Sequence, residues 1–299
     1  MDKLLIICGA TASGKTSLSI ECAKLLNTEI VSADSMNIYK GLDIGTAKPS
    51  TLERDGIFHH LIDVVSPFDT FSVSDYKELG ERAVKSIIAK DKIPILCGGT
   101  GFYIDSLLYD FSYGNGKENP EIREYYKNLA NEKGNQAVYD VLLEVDPITA
   151  KRLHPNDSKR VIRALEIFHN GTKKSEIVDD KTPKYDYKAY AIDFDRDELY
   201  SRINKRVDQF VEMGLVEEVN NLLSKGVSET SQCMQGIGYK EIVSYLKGNI
   251  SLKDSLELIK LNTRHYAKRQ ITYFKKLENI VWLKPDDPKI LAKRIIDEL

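Results

Sequence analysis

The feature that most restricts the fold of this 299-residue chain is a glycine loop close to its amino end. Residues 9–16 read GATASGKT, which matches the pattern G-x-x-x-x-G-K-[ST]. The apolar run 4–7 (LLII) precedes the loop, and residues 15–26 have the apolar spacing of a helix. This motif requires a strand before the loop and a helix after it, because backbone N–H groups and the helix amino end together hold phosphate oxygens. The sequence therefore predicts a binding site for a di- or triphosphate.

The residues of the loop have distinct predicted tasks. Lys15 supplies a full positive charge, and Thr16 can bind Mg²⁺ or a phosphate oxygen. The complete loop is Gly9, Ala10, Thr11, Ala12, Ser13, Gly14, Lys15 and Thr16. Phosphate binding does not identify a reaction, and a nucleotide kinase or an ATPase is the default for such a loop. An ATPase usually also needs an acid at the end of an apolar strand, and Asp34 and Asp63 both fit that position.

Strand and helix patterns alternate over the first hundred residues. The predicted strands are 4–7, 29–35, 60–65 and 94–100. A helix is predicted at 74–90, and in the helix 15–26 the side chains of Leu18, Cys22 and Leu25 share one face. Strands that alternate with helices predict a parallel sheet, so the fold class is α/β.

The pattern becomes helical in the middle of the chain. A glycine- and asparagine-rich break at 114–120 precedes helical spacing from 121 to about 170. Asn156, Asp157 and Ser158 are typical of a turn and an N-cap before a helix that begins near Lys159. We therefore predict a helical insert, residues 114–185, within a core formed by residues 1–113 and 186–299.

The pattern returns to strands and helices after the insert. The predicted elements are a strand at 188–195, one long helix at 197–225, a helix at 252–276, a strand at 279–283 and a final helix. The long helix has Leu199, Ile203, Val207, Phe210 and Val211 on one face, and Gly226 is placed to end it.

Charge is distributed unevenly along the chain. The net charge of −2 argues mildly against a nucleic-acid partner. However, residues 259–276 contain no acid and six cations, namely Lys260, Arg264, Lys268, Arg269, Lys275 and Lys276. Tyr266, Tyr273 and Phe274 lie among them, and a second basic stretch contains Lys151, Arg152, Lys159, Arg160 and Arg163. These stretches are either solvated faces with core aromatic residues or a surface that contacts phosphates and unpaired bases.

Composition restricts the setting of the protein. The apolar start of the chain is too short for a signal peptide, and no apolar run is long enough for a membrane span. The cysteines do not form a CxxC pair, so we expect them to be reduced and in or near the core. They are Cys8, Cys22, Cys97 and Cys233.

Several further motifs follow one another in a fixed order. They are SADS (32–35), IYKGLDIGTAKP (38–49), HHLID (59–63), GGTGFY (98–103), HPND (154–157), KRVIRALE (159–166), QGIGYKE (235–241) and TRHYAKRQ (263–270). In this order and at these spacings they resemble the tRNA dimethylallyltransferase family over nearly the whole chain. Ala10 departs from the family, which usually has proline there, and Cys97 stands where a small apolar residue is common. The resemblance is to the bacterial form, because the larger eukaryotic relatives have a zinc finger and this sequence has no CxxC pair.

The resemblance implies a fold and a reaction. The fold would be a P-loop NTPase-like parallel sheet core flanked by helices, with an inserted helical subdomain. The reaction would transfer a dimethylallyl group from dimethylallyl diphosphate, with Mg²⁺, to N6 of the adenine 3′ of the anticodon in tRNA. We expect a monomer in the cytoplasm.

The resemblance also implies roles for particular residues. Asp34, which follows a predicted strand end, would be the general base. Lys15, Thr16 and Arg206 would act on the diphosphate, with Mg²⁺ at Thr16. The implied tRNA contacts are Asp34, Ser35, Met36, Asn37, Thr100, Arg123, Lys159, Arg160, Val161, Ile162, Arg163, Gln235, Gly238, Tyr239, Lys268 and Arg269.

Local patterns leave alternatives to these roles. Asp34 could be a turn or N-cap aspartate, Arg206 could lie on a solvated helix face, and Gly98–Gly101 could be a turn without a ligand. Three other functions remain possible for the whole chain. They are a P-loop kinase of a nucleoside or small metabolite, a transferase that prenylates free adenosine phosphates, and a non-catalytic RNA-binding protein.

Overall fold

The computed structural model describes residues 1–111, 119–178 and 180–299. These residues form two compact units, one from Met1–Leu108 with Pro183–Leu299 and the other from Tyr109–Thr182. The sequence placed the two divisions at 113/114 and 185/186. The predicted break at 114–120 lies mostly outside the described residues.

The first part of the larger unit alternates strands and helices. Its elements are β1 (Lys3–Cys8), α1 (Lys15–Leu26), β2 (Ile30–Ser32), α2 (Thr51–Arg54), β3 (His59–His60), α3 (Val73–Ile88), β4 (Ile95–Gly98) and α4 (Gly101–Leu108). Leu5, Ile6 and Ile7 in β1 are fully buried, because helices cover both faces of a parallel sheet and each strand is then apolar throughout.

The smaller unit is helical, as predicted. Its helices are α5 (Pro120–Lys133), α6 (Asn135–Val145), α7 (Pro147–Ala150) and α8 (Ser158–His169). Asn119 caps α5 by accepting hydrogen bonds from the N–H groups of Glu121 and Ile122, and Pro120 occupies a position whose N–H has no helical partner. Tyr126, Leu142, Val161 and Leu165 belong to the core of this unit.

The second part of the larger unit completes the sheet. Its elements are β5 (Asp186–Ile192), α9 (Arg196–Glu212), α10 (Leu215–Ser224), α11 (Tyr239–Leu246), α12 (Leu252–Phe274), β6 (Ile280–Leu283) and α13 (Pro288–Asp297). The strands of the described residues form one sheet in the order β3-β2-β4-β1-β5-β6, and every pair is parallel. The predicted α/β class is therefore confirmed.

The strand order determines where a site can form. Strands β2, β4 and β1 are neighbours, and in a parallel sheet their carboxyl ends lie at the same edge. The phosphate loop follows β1, Asp34 follows β2 and Thr100 follows β4. The sheet thus brings together three segments that are far apart in the sequence.

The strand predicted at 60–65 is wrong. Strand β3 ends at His60, and Leu61 and Asp63 have φ angles of 62° and 57°. These left-handed conformations turn the chain, so the apolar residues of HLIDVV do not follow one extended path. Val65 forms an isolated parallel bridge with Tyr39.

The single helix predicted at 197–225 is also wrong. Gly214, with a φ angle of 98°, separates α9 from α10. The expected stop at Gly226 is confirmed, since this glycine follows the end of α10 with a φ angle of 87°. In α1, Leu18 and Cys22 are buried as predicted, but Leu25 is 55% exposed and does not belong to the core face.

The cysteines are all buried, in agreement with the prediction. Among the described residues, none of the helices has the length and apolarity that a membrane span requires.

Candidate active site

The phosphate loop has the backbone conformation that the motif requires. Gly9 and Gly14 have φ angles of 127° and 85°, which glycine adopts without the steric cost of a Cβ atom. Helix α1 starts at Lys15, and no side chain of the described residues caps it. The buried Oγ of Ser13 has no hydrogen-bond partner in the described part of the chain. Free donors at a helix amino end favour binding of an anion.

Two partly buried cations lie beside this loop. Nζ of Lys15 donates to the carbonyl of Ala10 at 3.2 Å, and burial lowers the pKa of Lys15 while the Asp34 charge opposes that shift. Arg206 on α9 lines the same cavity, and burial and the charge of Arg202 lower its pKa. Arg206 is therefore not on a solvated helix face, and the two cations together favour an anionic ligand.

Two side chains for which the sequence predicted no role support the loop. Nε of Arg202 donates to the carbonyl of Ala12 at 2.9 Å, and its guanidinium lies over the ring of Phe194. Oε1 of Gln270 accepts a hydrogen bond from the N–H of Thr11 at 2.8 Å.

A cavity of about 270 Å³ extends from the loop. One part of its lining is charged and consists of Lys15, Asp34 and Arg206. Another part is apolar and consists of Ile203, Val207, Phe210, Ile237 and Ile259. This combination fits a ligand with an anionic group attached to a short apolar chain.

A second, more open cavity of about 540 Å³ shares part of this lining. The residues common to both are Ala12, Lys15, Ala47, Arg206 and Phe210. The phosphate loop is thus accessible from two sides.

The structure distinguishes between the two candidate acids. Oδ1 of Asp34 accepts hydrogen bonds from the N–H groups of Met36 and Asn37, at 2.9 and 3.4 Å. The aspartate therefore forms the turn that local pattern allowed, and it also lines the cavity with Lys15. Asp63, in contrast, accepts from Lys48 at 2.6 Å and lines neither cavity.

The other predicted contacts near Asp34 lie along the same edge of the sheet. Ser35, Met36 and Gln235 line the cavity, and Asn37 is buried next to Asp34. Oγ1 of Thr100 accepts a hydrogen bond from the N–H of Ser35 at 3.1 Å.

The segment 43–45 is held by the carboxylate of Glu218, for which the sequence predicted no role. Glu218 accepts hydrogen bonds from the N–H groups of Asp43, Ile44 and Gly45, at 2.8 to 3.2 Å. The hydroxyl of Tyr239 donates to the same carboxylate at 2.6 Å. The side chain of Tyr239 is fully buried, so it supports this segment from inside, and Gly238 precedes it at the start of α11.

Helix α12 divides the predicted basic stretch between two environments. Lys268 and Arg269 are exposed, whereas Lys260 is paired with Asp208 and Arg264 donates to Asn204. Phe274 is buried, so of the two alternatives that the sequence left open, a core aromatic residue is the one that holds here. Burial and the Asp34 charge raise the pKa of Tyr266 to about 12, and this tyrosine faces the cavity as a neutral phenol.

The predicted tRNA contacts on α8 of the smaller unit differ in their exposure. Lys159 and Arg160 are exposed near the start of α8, whereas Val161 and Ile162 belong to the core, so their side chains do not reach the surface. Arg163 is 3.5 Å from the carboxylate of Glu166.

Arg123 is engaged with the same buried carboxylate. Its Nε and Nη2 lie 3.0 and 3.1 Å from the two oxygens of Glu166, which is fully buried. We predict that Arg123→Met lowers the free energy of unfolding by about 3 kcal/mol, because it leaves a buried charge with less compensation. Urea unfolding of the whole chain measures this effect, with the exposed Lys127→Met as the matched control. Equal stability of the two variants would contradict a structural role for Arg123.

Comparisons with known proteins identify relatives that match this chain over nearly its whole length. The family model described as IPP transferase matches residues 37–277. A tRNA dimethylallyltransferase of Acetivibrio thermocellus is 47% identical over 291 residues, which cover 96% of this chain and 93% of that protein. A tRNA delta(2)-isopentenylpyrophosphate transferase structure from Staphylococcus epidermidis has a TM-score of 0.74 at 40% identity and covers 100% of this chain and 98% of that one. The structure of a eukaryotic dimethylallyltransferase acting on tRNA has a TM-score of 0.84 at 29% identity. The match covers 99% of this chain and 78% of that one.

Proposed function

This chain belongs to the IPP transferase family, and on that premise we propose that it transfers a dimethylallyl group from dimethylallyl diphosphate to tRNA. The acceptor is N6 of the adenine immediately 3′ of the anticodon. The products are N6-dimethylallyladenosine in tRNA and free diphosphate. The enzyme acts as a monomer in the cytoplasm.

The observation that supports this proposal best is the composition of one cavity. Lys15 and Arg206, the apolar residues of α9 and Asp34 all line the same space of about 270 Å³. A kinase needs no apolar lining beside its transferred phosphate, whereas a five-carbon chain attached to a diphosphate does. The phosphate loop would thus hold a leaving diphosphate, where cations stabilise the negative charge that develops on the bridging oxygen.

The acceptor amine requires a base. Its lone pair is delocalised into the adenine ring, so the proton must leave as the new bond forms. The N6 atom attacks C1 of the dimethylallyl group, the C1–O bond breaks, and the amine proton passes to Asp34. Oδ1 of Asp34 is held by two backbone N–H groups, while Oδ2 accepts no hydrogen bond from the described residues. The geometry therefore leaves Oδ2 for the proton.

The oxygen donors beside the phosphate loop fit a Mg²⁺ ion. A cavity of about 50 Å³ beside Thr16 is lined by Asp34 and Asn37, and the buried Oδ1 of Asn37 has no partner among the described residues. Oxygen donors are the ligands that Mg²⁺ prefers, and this ion usually keeps several waters and few protein ligands. Thr16 would hold the ion, which when bound supplies positive charge to the departing diphosphate.

Two accessible sides of the phosphate loop suit two substrates. The cavities of about 270 and 540 Å³ meet at Lys15 and Arg206. An adenine in an anticodon loop is unpaired, so it can leave its stack at low energetic cost and enter a pocket. Lys268 and Arg269 are exposed on α12, which supports a role for them in contacting RNA phosphates.

A panel of acceptors tests the proposal. Radiolabelled dimethylallyl diphosphate and Mg²⁺ are incubated with the protein and, in separate reactions, an unmodified anticodon stem-loop and free adenosine monophosphate. We expect label in the stem-loop and little in the nucleotide. Label in free adenosine monophosphate alone would instead identify a nucleotide prenyltransferase. Hydrolysis of ATP without transfer to either acceptor would instead indicate that the protein is a kinase or an ATPase.

A further inference from the structure

Gln270 on α12 joins two loops of the site. The side chain is 96% buried, since only 4% of the residue is exposed, and both ends of its amide are hydrogen-bonded. Its Oε1 accepts from the N–H of Thr11 at 2.8 Å, and its Nε2 donates to the carbonyl of Gly99 at 2.9 Å. Thr11 belongs to the phosphate loop after β1, and Gly99 belongs to the turn after β4. A single side chain therefore bridges these two loops.

The hydrogen-bonded path continues to the base. Thr100 follows Gly99, and its Oγ1 accepts from the N–H of Ser35 at 3.1 Å. Ser35 is the neighbour of Asp34 in the chain. The phosphate loop, Gln270, the turn after β4 and the segment that bears Asp34 are thus linked in series around the cavity.

The absence of a side chain at Gly99 leaves room for the amide of Gln270. A Cβ atom at this position would lie 2.1 Å from Nε2 of Gln270, which is far closer than a real contact. The φ angle of Gly99 is not positive, so the backbone conformation itself does not require glycine. The close approach of the amide explains the glycine.

We infer that Gln270 is a positioning residue for the transfer reaction, and that it fixes the distance between the bound diphosphate and Asp34. This inference rests on the proposed function. A displacement of about 1 Å between reacting groups can reduce a rate by about 10²-fold without a direct effect on the chemistry. Loss of the Gln270 contacts is therefore expected to lower kcat and to leave substrate binding nearly unchanged.

Helix α12 has other attachments that keep it in place. Ile259, Ala267 and Phe274 are buried, and the hydroxyl of Tyr273 donates to Asp105. Alanine also has the highest helix propensity of all residues. Gln270→Ala should therefore fold, and its thermal unfolding can be compared directly with that of the wild type.

A double-mutant cycle between Gln270→Ala and Gly99→Ala tests the inference. Gly99→Ala keeps the glutamine but displaces its amide, because the new Cβ would lie only 2.1 Å from Nε2. We expect each single variant to lose about 10²-fold in kcat, with KM for both substrates within about threefold. The double variant should lose no more than the larger single loss, since both changes break the same contact.

The control is Thr272→Ala on the exposed face of the same helix, which should retain the wild-type kcat. Unchanged kcat in Gln270→Ala, a rise in KM alone, or additive losses of about 10⁴-fold in the double variant would each overturn the inference. If Gln270→Ala lacks a cooperative unfolding transition, Gly99→Ala alone tests the inference. A loss of about 10²-fold in its kcat would then support the inference, and an unchanged kcat would overturn it. A wild type that transfers no label would instead refute the proposed function, and the inference would fail with it.

Discussion

Replacement of Asp34 by asparagine is expected to lower kcat for prenyl transfer by about 10³-fold, within the range of a general base. Asparagine has the same shape, and its side-chain oxygen can still accept hydrogen bonds from the N–H groups of Met36 and Asn37. It cannot take the amine proton at neutral pH. KM for dimethylallyl diphosphate should change by less than about threefold, because the diphosphate is held by other residues.

Single-turnover transfer to a stem-loop measures this loss without interference from product release. Asp63→Asn is the matched control, because Asp63 is the other acid that the sequence offered and lines neither cavity. Asparagine tolerates the left-handed conformation found at this position, where φ is 57°. Similar losses in the two variants would contradict the assignment of Asp34 as the base.

Replacement of Lys15 by methionine is expected to reduce kcat/KM for dimethylallyl diphosphate by about 10³-fold. Lys15 is partly buried beside the uncapped amino end of α1, where a cation stabilises the departing diphosphate more strongly than it would in water. The effect should appear in both kcat and KM, because the charge contacts the diphosphate before and during bond cleavage.

Lys85→Met provides the control for this second prediction. Lys85 lies on α3, is exposed and lines neither cavity. If Lys15→Met retained the activity of the control, the loop would not be the diphosphate site.

The sequence predicted the sheet core because the local signals there are unambiguous. β1 is a continuous apolar run, and the glycine loop after it requires a strand before and a helix after. The prediction failed where single residues adopt left-handed conformations. The apolar letters of 60–65 resemble a strand, but Leu61 and Asp63 turn the chain, and Gly214 interrupts an otherwise continuous helical pattern.

The sequence predicted the charged residues that line the cavity, but not the side chains that hold the surrounding loops through hydrogen bonds. Lys15 and Asp34 belong to motifs that follow strand ends, and the order of the motifs indicated Arg206 through the resemblance. Gln270 and Arg202 act through hydrogen bonds to backbone atoms 259 and 190 residues away. Such contacts leave no periodic pattern, and only the folded chain reveals them. Glu218 was missed for the same reason, since it accepts from the N–H groups of a segment far away in the sequence.

The basic stretches illustrate the limits of composition. Lys260 and Arg264 have partners on α9, while Lys268 and Arg269, only one turn further along, are exposed. The charge of a stretch therefore does not determine which cations can meet a phosphate. That depends on the face of the helix, which the packing of Ile259, Ala267 and Phe274 fixes.

The most direct test of the central claim is the chemical identity of the product. The protein is incubated with labelled dimethylallyl diphosphate, Mg²⁺ and one of two stem-loops, which carry either adenine or unsubstituted purine 3′ of the anticodon. The RNA is then digested to nucleosides and analysed by mass spectrometry. We predict labelled N6-dimethylallyladenosine from the adenine stem-loop and no labelled nucleoside from the purine one, which lacks the exocyclic amine. Equal labelling of both RNAs, or labelling of neither, would contradict transfer to that amine.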